Sequence, residues 1–368
     1  MHPVGRRDCD LRTRIERAAL ACAASAIVLY AAEVPAQSAA PEPVLHDSHF
    51  HLTNYIQRGL EISEFLEIMG DEVGRAAIFG IPLQQTWAYS NTGDVAPTYY
   101  LQTDAPLYYY SFVDAAIAKA YLSLPAQDRQ RFDPMITGFN PADMYAVDHI
   151  RRVLLTFPGV FTGIGEFTIH KEFVSAKIAG GPASLSDPAL DKILDFAGEA
   201  GLVVLIHNDI DMPFPKAGQD PYSARQLGTL LRRHPGTTVI WAHMGLGRVV
   251  HPIADMAGIM ERVLADPGLA HVHIDLSWTE TAKYIVANPE TIAIAADLIN
   301  RYPDRFLFGT DEVAPRDQET YLTNYALFAP LLEQLDEATR EKFLKGNYER
   351  LFDAARLKVR AWEEENLR

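Results

Sequence analysis

The sequence predicts an α/β fold, specifically a (β/α)8 TIM barrel with a long aromatic-rich insertion after the second strand. Three observations lead there. Eight short apolar, β-branched runs alternate with amphipathic segments, as strands buried on both faces of a parallel sheet require. The chain, at 368 residues with 48% hydrophobic and 22% charged, is long enough to close such a sheet into one barrel. Ionisable residues cluster at the ends of these runs, where barrel active sites are built.

The predicted strands are Val44–Ser48, Arg75–Gly80, Met135–Phe139, Thr162–Phe167, Val203–Ile206, Thr238–Trp241, His271–Asp275 and Phe306–Phe308. Asn140-Pro141, Asp187-Pro188 and Asn288-Pro289 each pair an N-cap residue with Pro at the first helical position. Leu190, Ile193, Leu194 and Ala197 then repeat at helical spacing, as do Ile292, Ala295, Ala296 and Ile299. An open doubly wound sheet is the alternative, but Gly163-Ile164-Gly165 runs into Glu166 and leaves the phosphate-loop fingerprint incomplete. Residues 82–133 form the insertion, carrying Trp87, Tyr89, Tyr99, Tyr100, Tyr108, Tyr109 and Tyr110. Connections this long tend to be functional, so the segment is expected to be a substrate lid, a contact between copies in a homo-oligomer, or a self-packed subdomain.

Residues 1–36 do not belong to the barrel. Arg6, Arg7, Arg12, Arg14 and Arg17 precede a mostly small, apolar run from Ala18 to Ala32, and Val34-Pro35-Ala36 offers a cleavage site. That is the pattern of a signal peptide for export to the periplasm or the medium. The run is too short and Ala-rich for an anchoring helix. A linker follows at 37–43, and the barrel domain occupies 44–368. Both cysteines, Cys9 and Cys22, lie in the leader, so the mature chain is expected to hold neither disulfide nor Cys-based metal site. The net charge of −15 repels phosphate backbones, which argues against nucleic acid as a partner. No later stretch is apolar enough for a membrane span; the expected partner is a small-molecule substrate.

The chemistry concentrates in six residues. His49 and His51 follow the first strand, and a spacing of two in extended chain puts both imidazoles on one face, about 7 Å apart at the backbone. A lone His-x-His is weak evidence, since His271-Val272-His273 repeats it on the body of the seventh strand. The other four strengthen it. Glu166 ends the fourth strand, His207 the fifth, His243 the sixth and Asp311 the eighth, so all six should meet on one rim. Such a set suits a divalent metal, with Zn2+ the expected ion. Lys171 and His170 after the fourth strand, Arg248 after the sixth and Trp278 after the seventh are candidates to face substrate, with Arg248 the first choice for holding an anion. Asn208, Asp209 and Ser277 share that rim, and Asp275 is placed to orient a histidine ligand or water.

These motifs resemble the amidohydrolase superfamily, in its amidohydrolase-related, metal-dependent hydrolase branch. The resemblance rests on Asp47-Ser48-His49-Phe50-His51, Gly163-Ile164-Gly165-Glu166, Leu205-Ile206-His207, Trp241-Ala242-His243, Phe308-Gly309-Thr310-Asp311 and Gly346-Asn347-Tyr348-Glu349-Arg350-Leu351-Phe352. It implies that His49, His51 and Asp311 hold a more buried metal, and His207 and His243 a second one. Glu166 stands where relatives place a bridging carboxylate or a carboxylated lysine, which favours two metals and hydrolysis. It further implies a metal-activated water that cleaves a small ester, lactone, amide or phosphoester, with Asp311 as the catalytic proton carrier. Two alternatives accompany it: a one-metal decarboxylase or other lyase of the same superfamily, and a metal- or ligand-binding protein without catalysis.

Overall fold

The computed structural model describes residues 43–53, 59–81, 94, 112–171, 183–211, 221–248, 250–253 and 255–367. The predicted leader, nearly all of the linker and every aromatic named in the insertion lie outside these residues. Among the described residues nine strands make one sheet: β1 (Leu45–His51), β2 (Val73–Phe79), β3 (Phe132–Ile136), β4 (Gly163–His170), β5 (Val203–Asn208), β6 (Val239–Trp241), β7 (Val272–Leu276), β8 (Phe306–Phe308) and β9 (Glu312–Val313). Their order is β8-β7-β6-β5-β4-β3-β2-β1-β9, and every pairing is parallel. β9 continues β8 after three unpaired residues and lies against β1. Ser48 Oγ also donates to Phe308 O at 2.8 Å, and Asp311 N to His49 O at 2.7 Å. These contacts join the two ends of the sheet, so the TIM barrel expected from the sequence is the fold.

The outer ring comprises α1 (Ile62–Met69), α2 (Phe112–Ser123), α3 (Ala146–Thr156), α4 (Pro188–Ala200), α5 (Tyr222–Leu231), α6 (Met256–Ala265), α7 (Thr279–Ile285), α8 (Pro289–Arg301) and α9 (Thr323–Leu332). Two of the three predicted caps act as expected. Asp187 accepts from Ala189 N at the start of α4, and Asn288 forms a capping box with Thr291 at the start of α8. Asn140 instead closes a turn by accepting from Ala142 N. Helix α3 begins six residues later, because an Asx side chain serves a turn as readily as a helix.

Several strand limits differ from expectation. β1 runs on past the predicted Ser48 through His49 and His51, and β4 past the predicted Phe167 to His170. His49 and His51 were expected to follow the first strand, but a ladder is held by backbone groups and tolerates polar residues where the wall lines a mouth. β3 starts at Phe132 and ends at Ile136, ahead of the predicted Met135–Phe139. Pro134 pairs in register with Ile78 while its carbonyl accepts from Thr162 N. The insertion therefore ends before Phe132, and its described part is α2 plus the short helical turn Ala126–Arg129.

The last helix, α10 (Asn347–Asn366), closes the floor. Its Tyr348, Leu351, Phe352 and Ala355 pack with inward-facing Ala77, Phe79, Met135, Val203, Leu205, Ile240 and Leu307. Polar ties fix it: Tyr348 Oη and Arg356 Nε donate to buried Asp133, and Asn347 Nδ2 donates to Pro303 O and Phe306 O. This explains the late Gly346–Phe352 motif. It plugs the barrel at the end away from the site. Among the described residues no helix is long and apolar enough to cross a membrane.

Candidate metal centre

All six predicted residues meet at the C-terminal mouth. His49 and His51 are inward residues of β1, Glu166 lies within β4, and His207 is the penultimate residue of β5. His243 comes two residues after β6 in a tight turn with φ +56°, and Asp311 three after β8 with φ +54°. Every one is buried or nearly so.

Two carboxylates knit four imidazoles together. Glu166 Oε1 lies 2.6 Å from His207 Nδ1 and 3.4 Å from His243 Nε2, while its Oε2 lies 3.7 Å from His51 Nε2 and 4.0 Å from His49 Nε2. Asp311 Oδ1 is 2.9 Å from His51 Nε2 and 3.2 Å from His49 Nε2, and its Oδ2 is 3.9 Å from His243 Nε2. Burial alone would raise both carboxyl groups. Lys171 and, in their protonated forms, the neighbouring imidazoles (His207 beside Glu166, His49 and His243 beside Asp311) nevertheless hold both well below the usual carboxylate range.

Asp275, on β7, orders the histidines behind the site. Its Oδ2 lies 2.9 Å from His49 Nδ1, and its Oδ1 accepts from His243 N and from Ser277 Oγ, both at 2.7 Å. An ionised carboxylate only accepts, so His49 carries its proton on Nδ1. Ser277 donates its one proton to Asp275, so its oxygen accepts from His243 Nδ1 at 2.8 Å. Both imidazoles then direct a lone pair from Nε2 into the site. Those same atoms, His49 Nε2 and His243 Nε2, are buried without a hydrogen-bond partner. His207 tells a similar story. Its Nε2 faces Asp209 Oδ1 at 3.0 Å and its Nδ1 faces Glu166. A neutral ring that donates to Asp209 would bring two acceptors, its Nδ1 and Glu166 Oε1, to 2.6 Å, so a proton or a metal cation must lie between them.

This donor set fits a divalent ion. Three overlapping groups each bring one ligand atom per residue within 4.8 Å of the others: His49/His243/Asp311, His49/His51/Glu166 and Glu166/His207/His243. Carboxylates behind metal-binding imidazoles are the usual outer support of such centres.

The substrate candidates divide. Trp278, with φ +73°, leans on His243 at 5.1 Å between ring centroids. Lys171 Nζ and Arg248 Cζ each lie 5.2 Å from its ring centroid, so three of the four share one corner of the rim. Lys171 is buried directly after β4 with Nζ 3.6 Å from Glu166 Oε1. His170 is the last residue of β4, half-buried, and pairs with Asn208. His273 and its neighbour His271 stay out of the mouth, as their place on the strand body implied; His273 is buried towards Arg305 and Arg350 near the floor. Tyr321, which donates to Asp47 beneath the site, was missed altogether. Asp47 was noted only within a motif, and the register shift between Asp47 and Phe50 means that simple alternation along β1 does not place it.

Solved structures share the architecture. An uncharacterised TIM-barrel protein from Bordetella bronchiseptica is similar with a TM-score of 0.51 and 16% identity, over 84% of this chain and 99% of that one. A 2,6-dihydroxybenzoate decarboxylase from Rhizobium gives 0.51 and 15%, over 85% and 98%. An amidohydrolase from Burkholderia multivorans with bound zinc gives 0.50 and 13%, over 84% and 99%. At such identities the likeness is one of fold. No curated protein matches the chain. The family model described as amidohydrolase matches residues 46–354, nearly the whole barrel, and the chain therefore belongs to the amidohydrolase family.

Proposed function

We propose that this protein is a metal-dependent hydrolase that holds two divalent ions, zinc foremost, and cleaves a small ester, lactone, amide or phosphoester. One observation carries the two-ion reading: Glu166 divides its oxygens, Oε1 towards His207 and His243 and Oε2 towards His49 and His51. A carboxylate so placed would serve two ions at once. His49, His51 and Asp311 would hold one and His207 and His243 the other. Bound there, a divalent ion supplies hydroxide at neutral pH and polarises the oxygen under attack. Asp311, ionised and beside both histidine pairs, takes the proton of the attacking water and passes it to the leaving group. Lys171, Arg248 and Trp278 form the rim against which the substrate lies, with His170 further out.

The test is elemental analysis of the purified protein, then a screen of lactones, aryl esters, N-acyl amino acids and phosphoesters before and after chelation. Two ions per chain and hydrolysis restored by Zn2+ are expected. One ion per chain with release of CO2 from a carboxylated substrate would overturn the proposal in favour of a decarboxylase. Metal uptake without turnover of any substrate would favour a binding protein. The Arg-rich start and apolar run of residues 1–36 support export, to be checked by N-terminal sequencing of protein recovered outside the cytoplasm.

A further inference from the structure

Asp311 sits on the least regular part of the barrel wall. Gly309, Thr310 and Asp311 interrupt the strand between β8 and β9, and Asp311 adopts a left-handed backbone that residues with a Cβ seldom take. Gly309 is pressed so close to β1 that a Cβ there would lie 2.9 Å from His49 Cβ and 3.0 Å from Ser277 Cβ. Such a segment keeps its shape only where neighbours over-determine it.

The neighbour that does so is Asp47, fully buried two residues before His49. Its Oδ1 accepts from His49 N at 3.0 Å and from Thr310 N at 2.9 Å. Its Oδ2 accepts from Thr310 Oγ1 at 2.6 Å and from Tyr321 Oη at 2.9 Å. One carboxylate thus grips the histidine strand and, through three donors, the segment that follows β8.

We propose that Asp47 is a positioning residue, which clamps the Asp311 segment to β1 and so sets the spacing of Asp311 from His49 and His51. This rests on reading those three residues as metal ligands. The clamp works by geometry, because all four contacts reach the site through backbone or through Thr310 and Tyr321. An amide can replace the carboxylate. In Asp47→Asn the side chain keeps one oxygen for the two N–H groups and offers its NH2 to the two hydroxyls, which accept as well as donate.

The test uses the full chain loaded with Co2+, read by its visible absorption spectrum and by chelator competition, with thermal melting of the metal-free protein alongside. Asp47→Ala and Tyr321→Phe are expected to alter the spectrum and weaken Co2+ binding, Asp47→Ala by about tenfold or more. Tyr321→Phe keeps the ring that packs on Phe50 and Phe65, so it is informative even where Asp47→Ala fails to fold. Asp47→Asn is expected to match wild type. Unchanged spectra and affinities in Tyr321→Phe, with only the melting temperature lowered, would make Asp47 a mere barrel closure and overturn the proposal. An equal loss in Asp47→Asn and Asp47→Ala would assign the effect to charge and overturn it too. Wild-type protein that takes up no Co2+ would refute the metal reading itself, a result distinct from either.

Discussion

Asp275→Asn puts the tautomer logic of the site at risk with a change of one atom. The amide has a single acceptor oxygen where the carboxylate had two, and the three donors around it are unequal. His243 N is a backbone donor that cannot reverse, so the amide oxygen must take the place of Oδ1, where it also keeps Ser277. The NH2 then faces His49 Nδ1 across 2.9 Å. Either His49 moves its proton to Nε2 and loses the lone pair that points into the site, or it keeps the ligating tautomer against a buried donor–donor contact. An unmade hydrogen bond of this kind costs about 1–3 kcal/mol, which is roughly 5- to 150-fold in a binding constant and brackets the loss of about 10- to 100-fold usual for such supporting partners. Competition against a chromophoric chelator measures it directly. Zinc affinity within about twofold of wild type, with the fold intact by circular dichroism, would refute the assignment of His49 Nε2 as a ligand atom.

Asp311→Asn should leave the fold and much of the metal in place while turnover falls by about 10²- to 10⁴-fold; wild-type-like turnover on a substrate found in the screen would remove Asp311 from the proton path. His273 gives a pH signature away from the metal centre. Burial, with Arg350 and Arg305 nearby, pushes its pKa down from 6.5 to about 3. The unfolded chain therefore binds the extra proton first as pH falls, and stability is lost between pH 6.5 and about 3, by about 2 kcal/mol already at about pH 5. Urea unfolding of metal-free protein across about pH 5–6.5 should show that slope, and His273→Gln should flatten it by about one proton; an unchanged slope would count against a neutral buried His273.

The six site residues were legible because each could be placed by strand parity or by position just past an apolar run. Neither signal needs knowledge of side-chain packing. Asp275 was legible for the same reason, two residues beyond His273 on the inward face of β7. Tyr321 was not, because its contact with Asp47 spans 274 residues and depends on how a short helix returns over β1. Strand limits failed where the ladder ran on past the apolar run, beyond Ser48 to His51 and beyond Phe167 to His170, and where β3 began earlier than expected, at Phe132. Asn140 shows the limit of the cap signal: the residue that starts α8 when it is Asn288 makes only a turn when the helical periodicity does not follow at once.

The contrast between floor and mouth is what makes the metal reading physical. On β5, Val203 and Leu205 face the plug of α10, and one step further along the same inward row is His207. On β7 the row passes from His273 to Asp275. At the mouth it brings together Glu166, Asp209, Asp275 and Asp311, all buried or nearly so, with four imidazoles and Lys171. Buried charges of one sign are tolerated only when paired or bound to metal. Lys171 brings a single positive charge, beside Glu166. The imidazoles can balance the rest only by becoming protonated, which removes the Nε2 lone pairs that Asp275 and Ser277 arrange on His49 and His243. A site this rich in buried carboxylates, with the Nε2 lone pairs of His49 and His243 arranged to face inward, is balanced best by cations that accept those lone pairs. Divalent ions do both at once.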